Sequence, residues 1–247
     1  MYQAKIHVSR HDTSADALQS ALEGVTQLVD RHSRREISRR LGEAVDQLAI
    51  DLYSGIVDGV SAIQEAEISS RLCQRLEDKL DGMQAGDYTF NVIAQSVPDR
   101  GPRSMEKLFG ADIFLSVSLD GPDGFDKGIF IQAKYDRNVD QSELADAVKK
   151  MQNTAGRCGS YVWIYTPGGV KVFSAKQIED MNDKFFRGQV SRSVEGFSGR
   201  ILDCFAGSRD WGIPASDPDR RKSVAARLRK ARAANIVDLQ LQKTREL

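Results

Sequence analysis

The sequence predicts an α/β fold, a mixed β-sheet flanked by helices, with helical extensions at its N- and C-terminal ends. Three observations carry that expectation. The middle of the chain holds short apolar and alternating runs bounded by Gly, Pro and Asp, the pattern of strands. Longer stretches place apolar residues three and four apart, the period of helices. At 247 residues, 40% hydrophobic and 28% charged, the chain has the length and make-up to bury a sizeable core.

Residues 1–61 read as a helical N-terminal region. Tyr2, Ala4, Ile6 and Val8 alternate with polar residues as a short strand or extended arm. Leu18, Ala21, Leu22, Val25, Leu28 and Val29 then recur at helical spacing, with Thr13 or Ser14 as N-cap. After the basic patch RHSRREISRR, Val45, Leu48, Leu52, Ile56 and Val60 run along one face of a further helix, loosened by Gly55 and Gly59. Such a layer suits packing or dimerisation better than catalysis.

Residues 62–182 read as the core. A helix over about 62–80 precedes the strand-like DYTFNVIAQSVP, and the charged loop DRGPRSMEKLFG leads into strands over 111–119 and 128–135. A helix follows with Leu144, Val148, Met151 and Ala155 on one face, then SYVWIYT and GVKVFSA around the turn Pro167-Gly168-Gly169. Residues 183–247 read as a helical, basic C-terminal region. Its run DPDRRKSVAARLRKARAAN is either a solvated face or a surface for phosphates or a partner.

Composition narrows the chemistry. A formal net charge of zero argues against a general nucleic-acid-binding coat, although local clusters can still contact phosphates. Cys73, Cys158 and Cys204 form neither a disulfide framework nor a zinc spacing and read as small core residues of a reducing compartment. His7, His11 and His32 have no ligand-spaced companions, which disfavours a histidine metal site or triad. No run approaches the roughly 18 apolar residues of a membrane span, and the N-terminus lacks a signal-peptide core. A cytoplasmic protein is expected, with any chemistry resting on carboxylates, amides and lysines.

One stretch concentrates those groups. On the strand GIFIQAK, Phe130, Gln132 and Lys134 share a face, so an apolar internal strand turns polar at its end. Asp112 opens the preceding strand, and antiparallel pairing sets the start of one strand beside the end of the other. Upstream, Ile68, Leu72, Leu76 and Leu80 define an apolar helix face with Glu65 near its centre and Glu67 on the solvated side. A buried carboxylate costs several kcal/mol unless paired, hydrogen-bonded or bound to metal, so Glu65 is the more interesting acid.

An acid on a helix, an Asp at a strand start and a strand ending Gln-x-Lys together resemble the active-site signature of the PD-(D/E)xK nuclease superfamily. The GAD...IQAK stretch is similar to the Gln-bearing variant of type IV restriction and antiphage-defence nucleases. The resemblance covers Glu65 to Ala175 and implies a restriction-endonuclease-like core. It also implies Mg²⁺ or Mn²⁺ held by Glu65, Asp112, Gln132 and the carbonyl of Ala133, with Lys134 orienting or deprotonating the attacking water. Hard oxygen ligands suit Mg²⁺, and a neutral amide in place of a carboxylate weakens the site.

The activity implied is endonucleolytic hydrolysis of DNA, in prokaryotic restriction or antiphage defence, with a possible defence-system partner. Two active sites to cut two strands, and the helical N-terminal third, favour a homodimer or higher oligomer. Pro98-Asp99 matches the motif literally but sits in a Pro/Gly-rich loop, so Asp112 is preferred. Arg100, Arg103 and Lys107 in that loop are candidate nucleic-acid contacts, or simply solvated charges. Gln152, at the edge of its helix's apolar face, is a candidate supporting residue behind the site. Two other readings stand beside the nuclease: a catalytically silent nucleic-acid-binding or assembly subunit with the same fold, and a helical interaction protein with a scaffold α/β domain.

Overall fold

The computed structural model describes residues 29–57, 65–97, 110–121, 124–136, 139–180 and 190–244. Helices α1 (Arg31–Val57) and α2 (Glu65–Leu80) precede strands β1 (Gln84–Ala85), β2 (Tyr88–Ser96), β3 (Ile113–Leu119) and β4 (Phe125–Tyr135). Then come α3 (Gln141–Ala155), β5 (Ser160–Thr166), β6 (Gly169–Ser174), α4 (Ala175–Glu179), α5 (Val194–Leu202), α6 (Arg220–Ala231) and β7 (Asn235–Lys243). The strands form one seven-stranded mixed sheet in the order β1-β2-β7-β3-β4-β5-β6, with β3/β7 and β4/β5 parallel. The expected α/β class with helices flanking a mixed sheet is therefore observed.

Alternation along the strands sorts the core into two layers. On one face Ile113, Leu115, Ile129, Ile131 and Trp163 pack under α1, α2 and α5 through Leu41, Leu48, Leu72, Leu76 and Phe197. On the other, Phe114, Phe130, Val162 and Ile236 pack under α3 and α6 through Leu144, Val148, Met151, Val224 and Leu228. Phe114 and Phe130 meet edge-on at 5.1 Å. Each such side chain, fully buried, stabilises the fold by about 1.5–3 kcal/mol.

The basic patch RHSRREISRR forms the first turns of α1, where Arg39 and Arg40 pair with Glu36 and Arg39 also with Glu43. One expectation changes. The C-terminal region is not helical throughout: NIVDLQLQK forms β7, inserted between β2 and β3. Val237, Leu239 and Leu241 alternate as a strand should, but the Lys/Arg-dense helix beside them drew the reading toward helix. The sheet core therefore extends well past residue 182. A buried ion pair locks β7 to α6, with Asp238 accepting from Arg220 Nε at 2.6 Å and Nη2 at 2.9 Å. Among the cysteines Cys73 is buried as expected, whereas Cys158 is exposed and Cys204 intermediate. The expected arm and helix within residues 1–28 lie outside the described residues. Among the described residues no helix is long and apolar enough to cross a membrane.

Candidate active-site cleft

The β3/β4 ladder runs antiparallel with Ile113 opposite Ile131, so Asp112 falls beside Gln132 at the end of the strand pair. Its backbone is held from both sides: its N–H donates to Ile131 O at 2.9 Å, and its carbonyl accepts from Asn235 N at 3.0 Å. Asn235 Nδ2 donates to the same carbonyl at 3.1 Å. Two residues earlier, Gly110 has φ +73°, and a Cβ there would stand 2.6 Å from the Ala147 backbone. Glycine is what lets the chain pass this close to α3.

The three strand residues cluster as the spacing implied. Asp112, Gln132 and Lys134 are all buried. Asp112 Oδ2 accepts from Gln132 Nε2 at 2.5 Å and from Ala133 N at 2.7 Å. Gln132 Nε2 also lies 3.5 Å from Ala133 O. An electropositive N–H group thus occupies the point where the Asp112 carboxylate and the Ala133 carbonyl converge. Rotating the amide would offer a third oxygen there, so this donor set fits a hard divalent cation. The charge of Asp112 is felt behind it as well. Burial, chiefly, pushes the Tyr165 hydroxyl and the Cys73 thiol up, and Asp112 adds to both.

Lys134 opens onto a cleft of about 370 Å³ whose walls are Gly110, Gln132 and Lys134 on one side and Glu143, Asp146, Ala147 and Lys150 on the other. Lys134 Nζ stands 3.8 Å from Glu143 Oε2. Asp140 caps α3, accepting from Ser142 N at 2.9 Å and Glu143 N at 3.1 Å, and so fixes the turn that carries Glu143. Sequence reasoning missed Glu143, Asp146 and Lys150. Their spacing of three and then four residues forms a polar stripe beside the apolar one, which was the available signal.

The other expected residues fare differently. Glu65 is the first residue of α2, and its side chain lies outside the described residues. Its helix begins at the right end of the sheet, since Ser69 Oγ meets Tyr165 Oη at 3.2 Å. Ser70 Oγ donates to Ser96 Oγ at 3.0 Å, and Ser96 Oγ to Asn235 Oδ1 at 2.8 Å, linking the start of α2 to the side chain that holds Asp112. None of Ser70, Ser96 or Asn235 was anticipated. Glu67 is exposed and paired with Arg71 at 2.5 Å. Gln152 is half-buried, its Nε2 without a hydrogen-bond partner, and it is absent from the cleft walls. Nine residues from Glu143, it falls on the opposite side of α3. Asp99, Arg100, Arg103 and Lys107 lie outside the described residues.

No family model matches the chain, and neither does any curated protein or solved structure.

Proposed function

We propose that the chain is a metal-dependent endonuclease that hydrolyses DNA phosphodiester bonds in prokaryotic restriction or antiphage defence. The observation that carries this reading is the register of β3 and β4, which joins Asp112, Gln132 and Lys134 at one strand end beside an open polar cleft. Mg²⁺ or Mn²⁺ would be held by Asp112, the Gln132 amide oxygen, the Ala133 carbonyl and Glu65. Bound there, the cation would lower the pKa of water and neutralise charge on the scissile phosphate.

The chain's own groups do the rest. Lys134 reaches the cleft from a rigid strand, where its ammonium orients the attacking water and offsets negative charge as the phosphorus becomes five-coordinate. Glu143, 3.8 Å away, holds that ammonium toward the cleft. Buried apolar neighbours on β3 and β4 keep the bulk solvent out of the pair's far side, which strengthens each of these interactions.

A second reading has its own observation. Asp112 Oδ2 is already satisfied by two N–H donors, as suits a silent subunit that keeps the fold and binds nucleic acid without cutting it. Plasmid nicking with Mg²⁺ or Mn²⁺ separates the two. The nuclease reading expects nicking or linearisation that is lost in Asp112→Asn and in Lys134→Ala, while calorimetric cation binding is lost only in Asp112→Asn. Absence of both cutting and cation binding by the native protein would leave the silent subunit.

A further inference from the structure

Asparagine is depleted in strands, yet Asn235 opens β7 in the interior of the sheet. It lies opposite Ser96 of β2 on one side and Ile113 of β3 on the other. It is 1% exposed, between buried Ala234 and Ile236. A primary amide in such a place costs free energy unless its polar ends are hydrogen-bonded. Both ends are used: Nδ2 donates to Asp112 O at 3.1 Å, and Oδ1 accepts from Ser96 Oγ at 2.8 Å. Chemistry fixes that orientation, because a carbonyl only accepts and the amide end facing it must be the NH₂.

The consequence falls on Asp112. Its carbonyl receives two N–H groups from one residue, the backbone N–H of Asn235 at 3.0 Å and the side-chain Nδ2. Its own N–H donates to Ile131 O at 2.9 Å. The peptide planes on both sides of its Cα are therefore held, and with them the direction of the Cα–Cβ bond. Only the side-chain torsions remain, and Ala133 N at 2.7 Å and Gln132 Nε2 at 2.5 Å from Oδ2 settle those. Without the Asn235 side chain the Asp112 carbonyl would keep one donor, so the carboxylate would lose support without a buried group being stranded.

Ser96 is held in turn by Ser70, in the second turn of α2, whose Oγ donates to Ser96 Oγ at 3.0 Å. Two hydroxyls and one amide thus run from α2 through β2 and β7 to Asp112. We propose that Asn235 is a positioning residue for Asp112: its amide, oriented by the Ser70–Ser96 relay, fixes where the carboxylate points and how it stands relative to α2. The inference rests on the nuclease reading only for the use made of that carboxylate, as a cation ligand. It also makes the candidate site depend on β7, a strand from the far end of the chain.

The test reads the carboxylate twice, first without metal. In full-length protein in EDTA, NMR hydrogen exchange of the Ala133 N–H, which donates to Asp112 Oδ2, reports how firmly the carboxylate is held. Calorimetric titration with Mn²⁺ then reports its use as a ligand. Asn235→Leu, similar in shape but apolar, is expected to speed Ala133 exchange at least ~10-fold and to weaken Mn²⁺ binding by about 10-fold or more. Ser96→Val, at a half-buried position, removes the relay without touching Asn235 and should act in the same direction. Ser96→Thr keeps the hydroxyl on nearly the same shape as Val and should stay within about 2-fold of wild type in both measurements. Exchange at Leu239, mid-strand in β7, should not change in any of the three.

Equal acceleration at Leu239 means that β7 has loosened as a whole, and it overturns the proposal. Wild-type exchange at Ala133 in folded Asn235→Leu and Ser96→Val proteins does so too, even where Tm has fallen. A Ser96→Thr protein that behaves as Ser96→Val also overturns it, because the hydroxyl would then not be the cause. Native protein that binds no Mn²⁺, with Ala133 exchange still governed by Asn235 and the Ser96 hydroxyl, would sink the nuclease reading alone. Mn²⁺ binding and plasmid cleavage that are intact in Asn235→Leu would sink the positioning role alone.

Discussion

Lys127 and Lys134 sit seven residues apart on β4, both buried, and they differ in everything else. Lys127 is 1% exposed, its ammonium donating to the carbonyls of Ile201 and Ala206, each at 3.1 Å, and lying 5.0 Å from the Phe125 ring. Burial pushes its pKa down. Lys134, on the opposite side of the strand, stands at the wall of a cleft with a carboxylate 3.8 Å away. Burial alone therefore does not mark a functional lysine. What separates them is whether the ammonium's neighbours close around it or leave room for a substrate.

The largest effect should come from Lys134→Met. Single-turnover cleavage of plasmid is expected to fall by about 10³-fold or more, roughly 4 kcal/mol of transition-state stabilisation. Thermal unfolding should hardly move, because the cleft leaves water to solvate what remains. A large loss of Tm with cleavage retained would reverse the roles assigned to the two lysines.

Lys127→Met should do the opposite. It strands the carbonyl of Ala206, while Ile201 O keeps the Cys204 N–H at 3.1 Å, a cost of about 1–3 kcal/mol read as a lower Tm or denaturant midpoint. Folded variant should keep its cleavage rate. Loss of cleavage at unchanged stability would place Lys127 in the chemistry instead.

Next in size is Gln132→Glu, which sets a carboxylate where an amide now donates to Asp112 at 2.5 Å. Two acids at that distance repel unless they share a proton or a cation. Without metal the variant should melt lower than wild type, and Mg²⁺ or Mn²⁺ should raise its Tm, through a gain in stability of about 2.7 kcal/mol at 100 times Kd. A melting curve indifferent to either cation counts against a metal at this point.

The two lysines were also unequally legible. Lys134 was readable because Gln132-Ala133-Lys134 ends an apolar run, and Asp112 because antiparallel pairing across a short connection brings strand start to strand end. Lys127 was not, since the carbonyls that fix it come from α5 and the turn after it, far along the chain. The same limit hid β7: its partners β2 and β3 precede it by about half the chain or more, and long-range pairing leaves only a short alternating run as its local trace. Glu143 and Asp146 were missed for another reason. A helix stripe facing a cleft has the same composition as one facing bulk water.

The smallest effect concerns Asp140, whose carboxylate caps the helix that carries Glu143 to Lys134. The Glu143 N–H, first, and then the side chain and backbone of Ser142 hold its carboxyl below the usual range, with Lys134 adding a little. A depressed folded-state pKa means that the ionised cap favours the folded protein above the ordinary Asp value of about 3.9. That contribution fades as pH falls through the lower, folded-state value. Asp140→Asn keeps an acceptor for the same N–H groups but carries no charge, so it isolates the titrating part. Its Tm should lie slightly below wild type at pH 7, and the two should converge in the acid range below about pH 4. A gap that stays constant with pH would mean that the cap acts through hydrogen bonding alone. In that case the charge of Asp140 would play no part in steadying the wall opposite Lys134.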